Sequence, residues 1–310
     1  MRPVADPRGW RIALIGYGEV GRILAEDLRA AGIAALSACD IKVGGPHEAP
    51  LVEHAAGLGI GLSASHAEVA ANADLIISAV TASQAVAAAE ACAASIARAA
   101  WFLDFNSASP RAKIRAAALI DGAAGRYVEG AVMTSVPPYR MRVPLLLGGP
   151  GAAALAPLLA ALGFEPRVGS ERLGVVSATK LCRSVMIKGV EAMVIESFTA
   201  ARAYGVERQV IDSLTETFPG IDWEKQATYF FQRVVQHGRR RAEEMREAAE
   251  TVRDVGLEPH SAAGTAERQA WVAELAERGA LGARDERRTD WRHDADRILA
   301  QLAPPKDPMR

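Results

Sequence analysis

The chain is short of cysteine, of net charge and of long apolar runs, and each shortage excludes something. Its three cysteines, Cys39, Cys92 and Cys182, lie too far apart in sequence to read as a metal or redox pair. Against 36 Lys+Arg stand 37 Asp+Glu, so no basic excess exists to neutralise a nucleic acid or an anionic membrane. Half the residues are hydrophobic, but alanine supplies much of that fraction. The longest apolar run, residues 151–164, is too short to span a bilayer and contains Gly and Pro. The first ten residues, MRPVADPRGW, lack the apolar segment of a signal peptide, so a cytoplasmic protein is expected. The six histidines show neither triad nor metal spacing, and no metal is expected.

A chain of 310 residues has room for about two domains. From residue 11 to about 169, strand-like runs at 12–15, 34–39, 75–80, 101–105, 127–132 and 143–147 alternate with helical stretches at 19–31, 66–72, 84–97, 110–121 and 152–162. Several strands are apolar throughout, as strands covered on both faces are. The alternation predicts an open α/β sheet with helices on both faces, over residues 1–169. Residues 170–310 are expected to be all helical, opening with one long helix at 171–204 that joins the two parts. Further helices are expected at 206–218, 223–241, 242–255, 262–278 and 291–302. From Asp222 onward, 16 basic and 17 acidic residues interleave, the pattern of solvated helix faces. His260 is expected at a loop or helix start.

Directly after the first strand stands Gly16-Tyr17-Gly18-Glu19-Val20-Gly21, opening a helix. Gly16 permits the tight turn, Gly18 lets the backbone approach a pyrophosphate, and Gly21 lets helix and strand pack closely. The amide groups at the helix start then face the phosphates. The second strand ends at Asp40, where a carboxylate binds the ribose hydroxyls of NAD and repels the 2′-phosphate of NADP. NAD is therefore the expected cofactor. Lys42, two residues on, keeps NADP possible.

Three further segments follow strand ends, where such sheets hold ligands. Val80-Thr81 is expected to line the cofactor cleft. Asn106 and Ser107 follow the fifth strand, and Thr134 and Ser135 the sixth; their hydroxyl and amide groups suit a carboxylate or carbonyl substrate. Capping competes with that reading for Ser107, and for Ser109, which precedes Pro110. On the long helix, Lys180, Ser184 and Glu191 share one face within ~40°. Lys180 in a mostly apolar helix suits a general base, or alternatively a side chain reaching along apolar surface to water. Lys188 and Glu191 have the spacing of an i, i+3 ion pair.

The order of these motifs resembles the β-hydroxyacid dehydrogenase superfamily, which includes 6-phosphogluconate and hydroxyisobutyrate dehydrogenases. It most resembles a bacterial branch with a helical C-terminal domain of undefined function. The family's Asp-x-Ser-Thr-x-Ser-Pro segment is met by Asp104 to Pro110. The Val-Ser-Gly-Gly segment of 6-phosphogluconate dehydrogenase, leading through an Arg to a Gly pair, is met by Val132 to Ser135, Arg140 and Gly148-Gly149. The family's Gly-x-Gly-x-x-x-Lys-x-x-x-Asn helix is met by Gly174, Val176, Lys180 and Ser184. The resemblance implies a Rossmann-type nucleotide-binding domain, a catalytic Lys180, substrate contacts from Asn106, Ser107, Thr134, Ser135 and Ser184, and a homodimer or larger homo-oligomer. Thr134 and Ser135 replace the Gly pair, Ser184 the Asn and Val176 a Gly, and these departures bear on the substrate. The chain is also much shorter than 6-phosphogluconate dehydrogenase and shows no sugar-phosphate cluster. The reading is an NAD(P)-dependent oxidoreductase acting on a small hydroxy acid or related alcohol. An imine reductase and a non-catalytic NAD(H) sensor are its alternatives.

Overall fold

The computed structural model describes residues 6–283, 286–287 and 289–302. Residues 1–5, part of the N-terminal segment read above, lie outside them. The chain forms two compact units, Met1–Leu181 and Cys182–Arg310.

In the first unit, side chains alternate across the strands and so build two cores. On β1 (Ile12–Ile15), Ile12 and Leu14 enter one core and Ala13 and Ile15 the other. On β4 (Leu75–Ser78) and β5 (Trp101–Asp104), Leu75, Ile77, Trp101 and Leu103 join the first core; Ile76 and Phe102 join the second. Helices α1 (Glu19–Ala30), α2 (Ala49–Gly57) and α7 (Ala152–Ala161) close the first core with Leu24, Leu28, Leu51, Leu155 and Leu159. Helices α3 (His66–Ala70), α4 (Ala85–Ala93) and α5 (Pro110–Gly122) close the second with Val69, Ala88, Ala116 and Ile120. With β2 (Leu36–Cys39), β3 (Gly61–Ser63), β6 (Arg126–Val132), β7 (Leu145–Gly148) and β8 (Pro166–Ser170), the sheet order is β3-β2-β1-β4-β5-β6-β7-β8. This is the expected doubly wound, Rossmann-type sheet.

All neighbours are parallel except β6 and β7, where Glu129 faces Gly148 and Val132 faces Leu145. Between them lies only one helical turn, α6 (Val136–Tyr139), before a short 3-10 turn. That is too little helix for a crossover back to the other edge. Arg140 pins this connection to α1, bonding Asp27 at 2.7 Å and Glu26 at 2.6 Å.

The strands β3 and β8 and the helix α2 are absent from the sequence expectation. β3 and β8 are short edge strands; β8 begins with Pro166 and leaves Arg167, Val168 and Gly169 exposed, so neither carries a buried apolar run. Helix α2 follows a Gly- and Pro-rich loop that reads as a turn.

The second unit is helical, as expected, with α8 (Val175–Tyr204) running into it, then α9 (Glu207–Thr217), α10 (Trp223–Arg253), α11 (His260–Glu277) and α12 (Trp291–Leu299). Phe198, Phe231 and Trp291 cluster at its centre, with ring centroids 5.0 and 6.0 Å from Trp291. Two expectations are corrected here. The helices expected at 223–241 and 242–255 are one, α10, because Arg239, Arg240 and Arg241 are each paired, with Glu277, Glu244 and Glu191. The Lys188–Glu191 pair does not form. Lys188 Nζ lies 2.8 Å from Glu244 and Glu191 meets Arg241, both on α10. Spacing along one helix sees only that helix, and partners on a packed neighbour win.

Candidate active site

The carboxyl ends of the parallel strands bring the predicted segments of the first unit to one edge of the sheet. After β1 the chain turns at Gly16, whose φ of +91° is the left-handed region open to glycine. A Cβ on Gly16 would lie 2.5 Å from the Ala79 carbonyl oxygen, and one on Gly21 only 2.1 Å from that of Gly16. A Cβ on Gly18 would meet nothing within 4 Å, so space opens beside it. Gly18 is the N-cap of α1 and offers no side-chain bond, which leaves the first amide groups of that helix for a ligand. Glu19 is exposed and Val20 half-buried.

Asp40 directly follows β2 and is almost fully buried. Its Oδ2 accepts from the Tyr17 amide at 2.8 Å and its Oδ1 from the Lys42 amide at 3.0 Å. The carboxylate is thus tied to the glycine turn itself. The Tyr17 ring lies in the core, with its hydroxyl 2.9 Å from His54 Nδ1, and burial pushes the phenol up to about 12. Tyr17 therefore meets the turn through its backbone. At the end of β4, the Val80 amide donates to Asn106 Oδ1 at 2.7 Å, while Thr81 is exposed with its hydroxyl 3.2 Å from Ser83.

Beyond β5 a buried polar knot shapes the next turn. Asp104 and Lys113 are 0% and 1% exposed, with Nζ 2.9 Å from Oδ1. Lys113 also donates to the Asp104 carbonyl, and the Tyr127 hydroxyl donates to Oδ2 at 2.7 Å. Burial, and next the charge of Asp104, hold that phenol well above its ordinary pKa, so it remains a donor. The Asn106 amide nitrogen donates back to Asp104 Oδ1 at 2.9 Å, and its side chain bridges the Val80 amide and the Ser78 hydroxyl. Asn106 is thus occupied in joining β4 to β5. Ser109 caps α5, as its place before Pro110 suggests. Ser107 is left at the turn, half-buried.

Lys180 meets it there. Its Nζ donates to Ser107 Oγ at 2.6 Å. The helix carrying Lys180 is anchored by a residue that sequence reasoning missed. Glu129, fully buried on β6, accepts from the amides of Gly174, at 2.6 Å, and Ser177, both at the start of α8. A carboxylate at a helix N-terminus is favourable for the orphan amides and for the dipole. Its signal in the sequence is an acid inside an otherwise apolar strand. Thr134, exposed, and Ser135, at the start of α6, follow β6 on the same edge. Ser184 belongs to the helical unit, where its buried hydroxyl accepts from Lys188 Nζ at 3.1 Å. His260 is the first residue of α11. Among the described residues no metal-binding cluster of His, Cys, Asp or Glu occurs, and no helix is long and apolar enough to cross a membrane.

Comparison with known proteins extends this geometry. Residues 11–104 match the family described as NADP oxidoreductase, coenzyme F420-dependent, and residues 201–272 match a domain of unknown function, DUF1932. A conserved hypothetical protein of Sinorhizobium meliloti 1021 is 37% identical, with 94% of this chain and 96% of that one aligned and a TM-score of 0.72. The conserved protein MTH1747, of unknown function and described as structurally similar to 3-hydroxyacid dehydrogenases, is 27% identical, over 86% of this chain and 99% of its own, with a TM-score of 0.64. The 3-hydroxyisobutyrate dehydrogenase of Mycobacterium tuberculosis shares the fold at 18% identity, covering 94% and 99% of the two chains at a TM-score of 0.65. Identity along nearly the full length and the matched C-terminal domain of unknown function place the chain in the β-hydroxyacid dehydrogenase-like family, in the branch with a helical C-terminal domain of undefined function.

Proposed function

We propose that the protein is an NAD(P)-dependent oxidoreductase that moves a hydride between a nicotinamide cofactor and a small hydroxy acid or related alcohol. The observation that carries this reading is the 2.6 Å hydrogen bond from Lys180 Nζ to Ser107 Oγ at the carboxyl edge of a Rossmann-type sheet. The space beside Gly18, the free amides of α1 and the carboxylate of Asp40 fit a dinucleotide. When bound, the nicotinamide supplies the hydride acceptor or donor. Lys180 takes the proton from the substrate hydroxyl during oxidation and returns it during reduction. Ser107, already in contact with Lys180, orients that hydroxyl, while Thr134 and Ser135 offer donors to the rest of the substrate. Asn106 acts one step back, by fixing the Ser107 turn. Ser184 is the remaining substrate residue of this reading. A homodimer or larger homo-oligomer belongs to the same reading; Met186, Ile187 and Met193 of α8 are exposed apolar residues that pairing would cover.

Reduction of NAD⁺ in the presence of a panel of small hydroxy acids and alcohols, followed by absorbance, tests the reading. Turnover of imines alone, surviving in Lys180→Met, would favour an imine reductase, which needs no base for an alkoxide. Cofactor preference follows from Asp40. We expect NADH to bind more tightly than NADPH, and Asp40→Ala to reduce that difference by ~1–3 kcal/mol as a charge-assisted hydrogen bond is lost. Dissociation constants for both cofactors decide this, and NADPH binding equal to or tighter than NADH in the unaltered protein refutes it.

A further inference from the structure

The helical unit contains a polar layer that hydride transfer does not use. On α10, Arg233, His237, Arg240, Arg241 and Glu244 fall within about 100° of helix rotation and so share one side. Lys188 and Glu191 of α8 meet this side, through the Lys188–Glu244 contact at 2.8 Å and the Arg241–Glu191 pair. Arg240 shares Glu244 at 2.9 Å. Three cations therefore converge on two carboxylates.

The excess is concentrated at one end. Arg241 is 6% exposed, and its buried Nε has no partner among the described residues. Arg233, half-buried and close enough to Arg241 and Glu191 to feel their charges, has no hydrogen-bond acceptor or ion-pair partner among the described residues. His237 stands between them in sequence, one turn from each. Burial, then the charges of Arg233, Arg240 and Arg241, push its imidazole down to about 4, against the opposing pull of Glu244. A half-buried guanidinium without a counter-charge and a buried donor without an acceptor are both costly. An anion at this place relieves both.

We propose that Arg233, His237 and Arg241 form a binding site for an oxyanion, the carboxylate or phosphate group of a small molecule. The Arg233 guanidinium and the Arg241 Nε–H supply charge-assisted donors. His237 gains a proton as the anion arrives and becomes a further donor. The site does not depend on the hydride-transfer reading.

The test uses the full chain with isotopically labelled histidine, with the His237 ring signal assigned through His237→Gln. Acetate and inorganic phosphate are titrated separately at constant ionic strength, with chloride as reference. The expected result is that at least one of the two oxyanions raises the His237 pKa from about 4 toward its ordinary value, and chloride does not. A response to acetate alone assigns a carboxylate, to phosphate alone a phosphate, and to both a general oxyanion site. Arg233→Gln, chosen because Arg233 has no protein acceptor to lose, is expected to weaken binding roughly tenfold, and Arg233→Lys to restore part of it. A His237 signal moved by neither oxyanion, or equally by chloride, overturns the proposal. So does unchanged affinity in a folded Arg233→Gln variant.

Discussion

Lys180→Ala is expected to lower kcat by ~10²–10⁴-fold, the range for loss of a positioned acid–base group, while NADH affinity stays nearly constant. The two effects separate because the residues belong to different strand ends. The proposed dinucleotide site is the turn after β1 and the carboxylate after β2, whereas Lys180 is held against Ser107 beyond β5. Ser107→Ala removes the acceptor for Lys180 Nζ and is expected to act in the same direction, with a smaller loss. Lys188 provides the contrast. It sits in the helical unit, ion-paired with Glu244, so its replacement is expected to reduce stability and leave the chemical step intact in molecules that fold. Steady-state kinetics with cofactor titrations on the three variants check this. Full turnover in Lys180→Ala, with turnover lost in folded Lys188→Ala, would move the active centre two turns along α8.

The largest effect on stability is expected at Lys113. Its ammonium is enclosed with the Asp104 carboxylate, the Asp104 carbonyl and the Tyr127 hydroxyl. Breaking a buried pair costs more than the pair contributes, because the surviving charge stays buried without compensation. Lys113→Met is therefore expected to destabilise the sheet unit by ~3–5 kcal/mol. Removing both charges, in Asp104→Leu with Lys113→Met, is expected to recover part of the loss in stability. It is not expected to recover activity, since Asp104 Oδ1 also fixes the amide of Asn106 and thereby the Ser107 turn. Denaturant unfolding of single and double variants measures the stability terms. A loss below ~1 kcal/mol for Lys113→Met would mean that water or another group reaches Asp104 and that the knot is not closed.

What was legible in the sequence was local. Gly16, Gly18 and Gly21 are spaced for a turn in which a side chain is excluded at two positions and open space lies at the third, and the structure has that geometry. The central strands were legible because their faces are both buried, which leaves no polar alternation to confuse the pattern. β3 and β8 were not, because an edge strand is held by backbone pairing more than by burial. Ser109 was legible as a cap, for the same local reason. The connections across the chain were hidden. Glu129 lies 45 residues before Gly174 in the chain, and its bond to the start of α8 is invisible to any helix or strand period. The pairing of Lys188 failed similarly, since its acceptor lies on α10, not one turn along its own helix. Asn106 was recognised as a polar residue of a site motif, but its amide is taken up by Val80 and Ser78, contacts that exist only once β4 and β5 lie side by side.

Hydride transfer at the edge bearing Lys180 is the central claim, and isotope transfer tests it most directly. Small hydroxy acids and alcohols deuterated at the carbinol carbon are incubated in turn with the protein and NAD⁺, and the nicotinamide product is examined by NMR. The account predicts deuterium at C4 of the NADH formed from at least one of them, and its loss in Lys180→Ala. NADH that binds tightly while no member of the panel delivers deuterium to C4 would contradict the account and leave a dinucleotide-binding protein without this chemistry.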